Sequence, residues 1–218
     1  MKMPIKSDRE YRKFNSFNTV ESRAEGDDKG MYVEGYASTF ETYDLFKIDE
    51  YQYRERIEPT AFDEADMTDV VFLRDHQGQV FARTKNGLID MTIDEKGLWT
   101  KTDLSKTAAA REMYEDIRME NYTQMSFAFT VEKDHFEDTT EGDVTVLTRV
   151  IDRIKKVYDI SAVAFPANNT TDIGVATRSA FDGEIERLKA ERLRVETERR
   201  EAARKAAELK LKLMEVES

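Results

Sequence analysis

A regular alternation of large apolar and small or polar residues marks the middle of this chain. In residues 125–131, one parity holds the large side chains Met125, Phe127, Phe129 and Val131. The other parity holds Ser126 between small or polar neighbours. Because side chains alternate between the two faces of a strand, the pattern predicts a β-strand with its aromatic face toward the core. Ser126 then lies on a small, polar face that a substrate could approach.

Four further segments have the composition or spacing of strands. Residues 31–40 place tyrosines on one parity and small residues on the other. Residues 69–76 are a short apolar run that ends in charged residues, and residues 144–165 are rich in β-branched side chains. Residues 87–104 alternate around a turn that ends at Gly97, which predicts a hairpin. The body of the chain is therefore expected to be rich in strands.

Two segments have helical periodicity instead. Between residues 105 and 122, the apolar residues Ala110, Met113, Tyr114 and Ile117 fall on one face of a helix. From residue 181 onward the chain is highly charged, and its apolar positions recur at spacings of three and four residues. Arg192 and Arg199 interrupt this row, so it is a weak coiled-coil seam. An isolated charged helix held by i,i+4 ion pairs fits the pattern as well.

Composition shifts divide the chain into three parts. The turn-rich cluster at 25–30 closes an irregular polar segment, and a second break falls near Arg178. We expect an N-terminal arm at 1–29, a main domain at 30–178 and a charged helical tail at 179–218. With strands in the majority and at least one core helix, the expected class of the main domain is α+β.

Charge and composition exclude several classes of function. The net charge of −11 argues against a general nucleic-acid binder, because phosphates would be repelled. No cysteine is present, which excludes thiolate metal sites and cysteine nucleophiles. No apolar run has the length of a membrane span, and no calcium-binding loop pattern occurs. We expect a soluble protein without a metal, a cofactor or a membrane partner.

The chain has only two histidines that could serve as a base for a serine nucleophile. His135 follows Ser126 by nine residues, so along an extended strand it would lie about 30 Å away. It would also point to the opposite face. His76 lies on another segment and is free to approach Ser126. Spacing alone also fits a packed strand hydroxyl and a surface histidine.

Five short segments of the chain follow one another in a characteristic order. They are GYASTF (35–40), LRDH (73–76), DLSKTAAAREMYEDIR (103–118), QMSFAF (124–129) and VYDISAVAFPAN (157–168). No single segment is specific, but together, over residues 30–175, they resemble the prohead maturation proteases of tailed bacteriophages. That family is related in fold to the herpesvirus assembly proteases. The resemblance therefore implies a β-barrel-like antiparallel sheet with flanking helices.

The resemblance also implies a set of catalytic residues. The family's histidine motif falls on His76 and its M-S-F-x-F serine on Ser126. Herpesvirus enzymes use a second histidine as the third member, whereas the phage enzymes have an acid that corresponds here to Asp159. Asp75 is disfavoured because a neighbour of His76 on a strand points the other way. Asp152 is a further alternative if the register differs.

The family implies a serine endopeptidase that works inside the assembling prohead in the host cytoplasm. Its substrates would be the scaffold region of the major capsid protein and the protease itself, with self-association into a homo-oligomer as an additional expectation. The arm and the tail would then be packaging or regulatory elements that self-cleavage can remove.

Two other readings remain open from the sequence. The first is a scaffold protein for capsid assembly that performs no turnover and binds its partner through the charged C-terminal helix. The second is an acidic peptide-binding module, whose function would not depend on Ser126.

Overall fold

The computed structural model describes residues 9–15, 18–22, 30–164 and 175–216, and strands predominate in it. The strands are β1 Glu10–Asn15, β2 Asn18–Ser22, β3 Gly30–Thr39, β4 Tyr43–Ile48, β5 Tyr51–Ile57, β6 Val71–Arg74, β7 Gln77–Arg83, β8 Ile89–Ile93, β9 Gly97–Asp103, β10 Gln124–Glu141 and β11 Val144–Val163. The α-helices are α1 Ala108–Arg118 and α2 Val175–Val216, and short 3-10 helices occur at Pro59–Phe62 and Thr84–Asn86. The described residues divide into two compact units between Ala176 and Thr177.

The strands of the first unit form two sheets. The larger sheet has the order β1-β10-β11-β5-β4, with β6 and β7 attached through β11, and the smaller has the order β2-β3-β9-β8. The twenty residues of β11 are long enough to serve two parallel partners in succession. Thr145–Ile151 pair with β5, and Asp159–Ala162 pair with β6. The second half of β11 therefore carries β6 and the turn that follows it.

Local sequence signals account for several elements. Thr107 caps α1, because its hydroxyl accepts a hydrogen bond from the backbone N–H of Ala110 at 3.1 Å. The four apolar residues predicted for one face of this helix are all buried. Strands β8 and β9 form the predicted hairpin. The side chain of Asp94 fixes its turn by accepting hydrogen bonds from the backbone N–H groups of Lys96 and Gly97.

One hydrophobic core contains residues of both sheets and of α1. Its larger members include Phe62, Phe72, Leu98, Tyr114, Phe127 and Ile160. The rings of Phe127 and Phe129 stack 4.4 Å apart on β10. The aromatic parity of β10 therefore faces this core, as the alternation predicts.

The expectation of an antiparallel, barrel-like sheet is confirmed only in part. The fold is mixed α+β and mostly strands, but the sheets formed by the described residues do not close into a barrel. Two pairings of β11 are parallel, which corrects the expectation of a purely antiparallel sheet. Strand order and direction follow from contacts between distant segments, which a local alternation pattern does not encode.

Other boundaries also differ from the sequence patterns. Residues 43–57, an aromatic and charged stretch for which no strand was predicted, form the paired strands β4 and β5. Strand β10 continues past the apolar stretch to Glu141, because β11 pairs with it as far as the turn at Gly142. Within the expected N-terminal arm, β1 pairs with β10 and β2 pairs with β3. Whether residues 1–29 act as a separate functional unit stays a prediction.

A buried ion network joins β1 to other strands of the larger sheet. Arg12 donates to both carboxylate oxygens of Glu55, at 2.5 and 2.6 Å, and to Glu10 at 2.7 Å. Arg149 donates to Glu10 at 2.6 and 3.0 Å, and Tyr43 donates to Glu55 at 2.5 Å. Burial lowers the pKa of Arg12, but Glu55 and Glu10 together hold it well above its usual value. Arg12 therefore stays charged in the interior.

The second unit is the charged helix α2. Ion pairs at i,i+4 spacing run along it, among them Arg187 with Glu191 and Arg204 with Glu208. Leu193 and Val195 are exposed on its surface. Its use as a coiled coil stays a prediction. None of the helices in the described residues is long and apolar enough to span a membrane.

Candidate active site

Ser126 lies near the start of β10, between two paired strands. It stands opposite Ser161 of β11 and opposite Lys13 of β1. Its side chain is on the parity that faces away from Phe127 and the core. Even so, its exposed fraction is 0%, so the small, polar face that contains it is covered. The sequence pattern had placed Ser126 on an accessible face, and this part of the expectation is wrong for the conformation described here.

His76 lies in a two-residue turn between β6 and β7. The pair Arg74 and Gln77 closes the turn, and both central residues have positive φ, 48° at Asp75 and 58° at His76. Two successive left-handed residues give the tight hairpin geometry that matches the twist of the flanking strands. The turn is fixed to β11 by a hydrogen bond from the backbone N–H of Asp75 to the carbonyl of Ala162 at 3.0 Å.

The ring of His76 connects two polar side chains from neighbouring strands. Nε2 lies 2.6 Å from Ser126 Oγ, and Nδ1 lies 2.6 Å from Asp159 Oδ1. With the carboxylate accepting from Nδ1–H, Nε2 carries the free lone pair and accepts from the serine hydroxyl. This is the arrangement in which an imidazole removes the proton of an attacking hydroxyl.

The three side chains are buried to different degrees. The side chain of Asp159 is 4% exposed and that of His76 is 14% exposed. A carboxylate so little hydrated needs hydrogen-bond donors, and it has two within the site. Nδ1 of His76 is one, and the hydroxyl of Ser161, at 2.8 Å from Oδ1, is the other.

The N-terminal strand contributes a wall of the site. The ring of Tyr11 on β1 packs edge-on against the His76 ring, with 4.5 Å between ring centroids and 63° between the planes. Tyr11 pairs with Ala128, two residues after Ser126. It therefore reaches the same face of the sheet as the serine.

The structure separates the remaining candidates from Ser126. His135 is half exposed, and its Nδ1 lies 3.0 Å from the carboxylate of Asp152, far along the β10–β11 hairpin. The hydrogen bond that His135 donates to Asp152, together with the charges of Asp152 and Glu137, raises the pKa of His135 above its usual value. Asp75 is exposed at the turn, where its backbone N–H donates to the carbonyl of Ala162 on β11. Asp159 is the acid that the structure brings to His76.

Sequence patterns did not single out two residues of the site. Tyr11 belongs to the polar N-terminal segment, where nothing predicted a strand. Ser161 belongs to a run of small residues, 161–164, that has no motif of its own. One signal could have identified Ser161: it lies two residues after Asp159 and therefore shares its face of the strand.

Metal binding has no candidate site in the described part of the chain. Within it, no group of three or more histidine, aspartate or glutamate side chains could hold an ion. The arrangement of hydroxyl, imidazole and carboxylate is the one that serine hydrolases use, and here it is set in a mixed α+β fold.

Comparisons with known proteins place the chain in a family. The family model described as caudovirus prohead serine protease matches residues 18–184, and the chain belongs to this family. The resemblance drawn from the five sequence segments is thereby confirmed. Among solved structures, the capsid assembly protease gp21 of bacteriophage T4 matches with 14% sequence identity and a TM-score of 0.42. The match covers 73% of this chain and 100% of that one. No curated protein matches the chain.

Proposed function

We propose that this protein is a serine endopeptidase that cleaves the scaffold region of the phage major capsid protein, and itself, during prohead maturation. The contact of His76 with both Ser126 and Asp159 is the observation that carries the proposal. Membership of the prohead serine protease family supports the reaction class and the setting, the assembling prohead in the host cytoplasm.

In the proposed reaction, each side chain has one role. Ser126 Oγ attacks the scissile carbonyl while Nε2 of His76 accepts its proton, and His76 then returns this proton to the leaving amine. Asp159 keeps Nδ1 protonated and stabilises the imidazolium formed in between. The hydrogen bonds that define these roles are already formed in the structure, so little reorganisation of the three side chains is needed.

Access to the serine is part of the proposal. Because Ser126 is fully buried, a substrate carbonyl reaches Oγ only after the covering side chains move. Such a closed resting state suits an enzyme that is packed among its substrates before the shell is complete. High local concentration inside the shell compensates for a low intrinsic affinity.

Self-cleavage is proposed to spare β1. Glu10 and Arg12 belong to the buried ion network, and Tyr11 packs on His76. Loss of β1 would leave Glu55 and Arg149 with fewer buried partners and would expose one side of the imidazole. We therefore place the N-terminal cut of an active, matured enzyme before Arg9. The charged helix α2 carries none of the site residues and is the other removable part.

The test is co-expression with the cognate capsid protein, followed by intact-mass analysis of both chains. Three forms are compared: the wild type, Ser126→Ala and Ser38→Ala. Ser38 is a fully buried serine on β3 of the smaller sheet, and its hydroxyl lies 3.5 Å from the carbonyl of Thr39, so it is the matched control. We expect both chains to be shortened with the wild type and Ser38→Ala and to stay full length with Ser126→Ala. Full-length chains in shells assembled with the wild type would favour a scaffold protein without turnover.

A further inference from the structure

Ser161 makes contacts within the site that the proposed reaction does not use. Its hydroxyl donates to Asp159 Oδ1 at 2.8 Å and accepts the backbone N–H of His76 at 3.2 Å. The Ser161 hydroxyl thus connects the carboxylate of Asp159 to the main chain of His76, and the same carboxylate orients the His76 ring. We infer that Ser161 is a positioning residue that holds Asp159 and His76 in register for proton transfer, an inference that rests on the proposed function.

The first step concerns the carboxylate. A serine hydroxyl has a single proton, and here that proton is directed to Oδ1 of Asp159. Oδ1 thus accepts from Ser161 and from Nδ1 of His76 together. Two donors from different directions fix the rotation of the carboxylate about its terminal bond. Without Ser161, the carboxylate of Asp159 would be oriented by the imidazole of His76 alone. The orientation of the imidazole would then have no support independent of the imidazole.

The second step concerns the turn. The left-handed conformation at residues 75 and 76 leaves the backbone N–H of His76 outside the strand ladder. Ser161 Oγ accepts this N–H, while the neighbouring Asp75 N–H bonds to Ala162 on the same strand. The main chain that carries the imidazole is therefore attached to β11 at two consecutive residues.

The third step concerns the place of Ser161 in the sheet. It stands directly opposite Ser126 in the pairing of β10 with β11, and its exposed fraction is 0%. Burial in a low-dielectric interior strengthens the two hydrogen bonds of this hydroxyl. The hydrogen bonds of Ser161 go to Asp159 and His76, so its role is exerted through these two residues. A displacement of about 1 Å at either residue would cost on the order of a hundredfold in rate.

The test separates positioning from folding. The rate of cleavage is measured on a peptide that spans the cleaved bond of the cognate capsid protein, with the full-length wild type, Ser161→Ala and the matched control Ser38→Ala. We expect Ser161→Ala to lower kcat about 10- to 100-fold with KM within about twofold, because the loss is one of geometry and not of substrate binding. Ser38→Ala should keep the wild-type kcat. An unchanged kcat in Ser161→Ala would overturn the inference.

A second readout does not depend on turnover. In the Ser126→Ala background, the far-downfield proton nuclear magnetic resonance signal of His76 Nδ1–H reports the hydrogen bond of this group to Asp159. The substitution His135→Gln shows which histidine gives the signal. We expect Ser161→Ala to weaken or abolish this resonance and Ser161→Thr, which keeps a hydroxyl, to retain it. A resonance unchanged in Ser161→Ala, or lost in both variants, would contradict the assigned role.

The two proposals fail in different ways. If the wild type cleaves neither the peptide nor the co-expressed capsid protein while the resonance still depends on the Ser161 hydroxyl, the proposed function is wrong and the positioning contact stands. If the wild type cleaves and Ser161→Ala cleaves equally fast, only the inference about Ser161 is wrong.

Discussion

His76 Nε2 lies 2.6 Å from Ser126 Oγ although fifty residues of chain separate the two. The contact depends on β11, which pairs with β10 on one side and with β6 on the other. Its central position brings the turn after β6 to the serine. The same strand supplies Asp159, so one element aligns all three side chains.

Removing the charge of Asp159 tests its role without changing its volume. We expect Asp159→Asn to lower the rate of capsid-protein cleavage by about 10⁴-fold, because an amide cannot stabilise the imidazolium and favours the wrong tautomer. The matched control is Asp152→Asn, which removes the carboxylate beside His135. A rate that falls equally in both variants would refute the assignment of Asp159 as the acid.

The ring of Tyr11 tests whether β1 contributes to the site. An edge-on aromatic contact is worth about 0.5–1.5 kcal/mol, so we expect Tyr11→Ala to lower the cleavage rate by roughly two- to tenfold. Tyr11→Phe keeps the ring and should stay within about twofold of the wild type. Steady-state rates on the peptide that spans the cleaved bond measure both. Equal rates for Tyr11→Ala and the wild type would show that the ring only covers the site.

The buried ion network predicts that removing a buried arginine lowers the free energy of unfolding more than removing a surface arginine. Replacing Arg12 with methionine leaves Glu55 and Glu10 short of a buried partner, and we expect the free energy of unfolding to fall by about 3–5 kcal/mol. The control is Arg54→Met, because Arg54 pairs with Asp44 and Glu141 at the surface and should cost about 1 kcal/mol or less. Urea unfolding in the Ser126→Ala background, which prevents self-cleavage, measures both. Similar losses in the two variants would contradict the burial of the network.

The pairing of His135 with Asp152, outside the active site, predicts that the stability of the folded chain depends on pH. The pKa of His135 is raised in the folded chain by Asp152, so the stabilisation from this pair is fully present below the unfolded pKa of about 6.5 and is lost as the pH rises through the higher folded pKa. Asp152→Asn should lower the pKa of His135 and flatten this dependence. Nuclear magnetic resonance titration of the two histidine rings measures the change. A midpoint for His135 that does not move would exclude Asp152 as the cause.

The matured N-terminus tests whether β1 is retained. We expect protease recovered from mature shells to begin at or before Arg9, because a cut within or after β1 would remove Glu10 and Arg12 from the network. Intact mass and N-terminal sequencing of the recovered chain locate the cut. An active enzyme that begins after Asn15 would show that β1 is dispensable.

The sequence by itself determined the elements whose signal is local. Alternation in residues 125–131 predicted the strand that carries Ser126, and the helical period of the apolar residues between 110 and 117 predicted α1. Strand geometry alone also separated His135 from Ser126, because distance along a strand and parity of its side chains are local quantities. Five segments in one order were enough to indicate the family.

Only the tertiary structure decided how these elements meet. The pairing of β11 with β6 brought the carboxylate of Asp159 within hydrogen-bond distance of His76, and it placed Ser161 between Asp159 and His76. The polar N-terminal segment forms a strand because it pairs with the edge of β10. Glu10 and Arg12 on this strand also bind buried side chains of opposite charge. Such contacts join residues far apart in the chain, and their free energy depends on partners that no local pattern specifies.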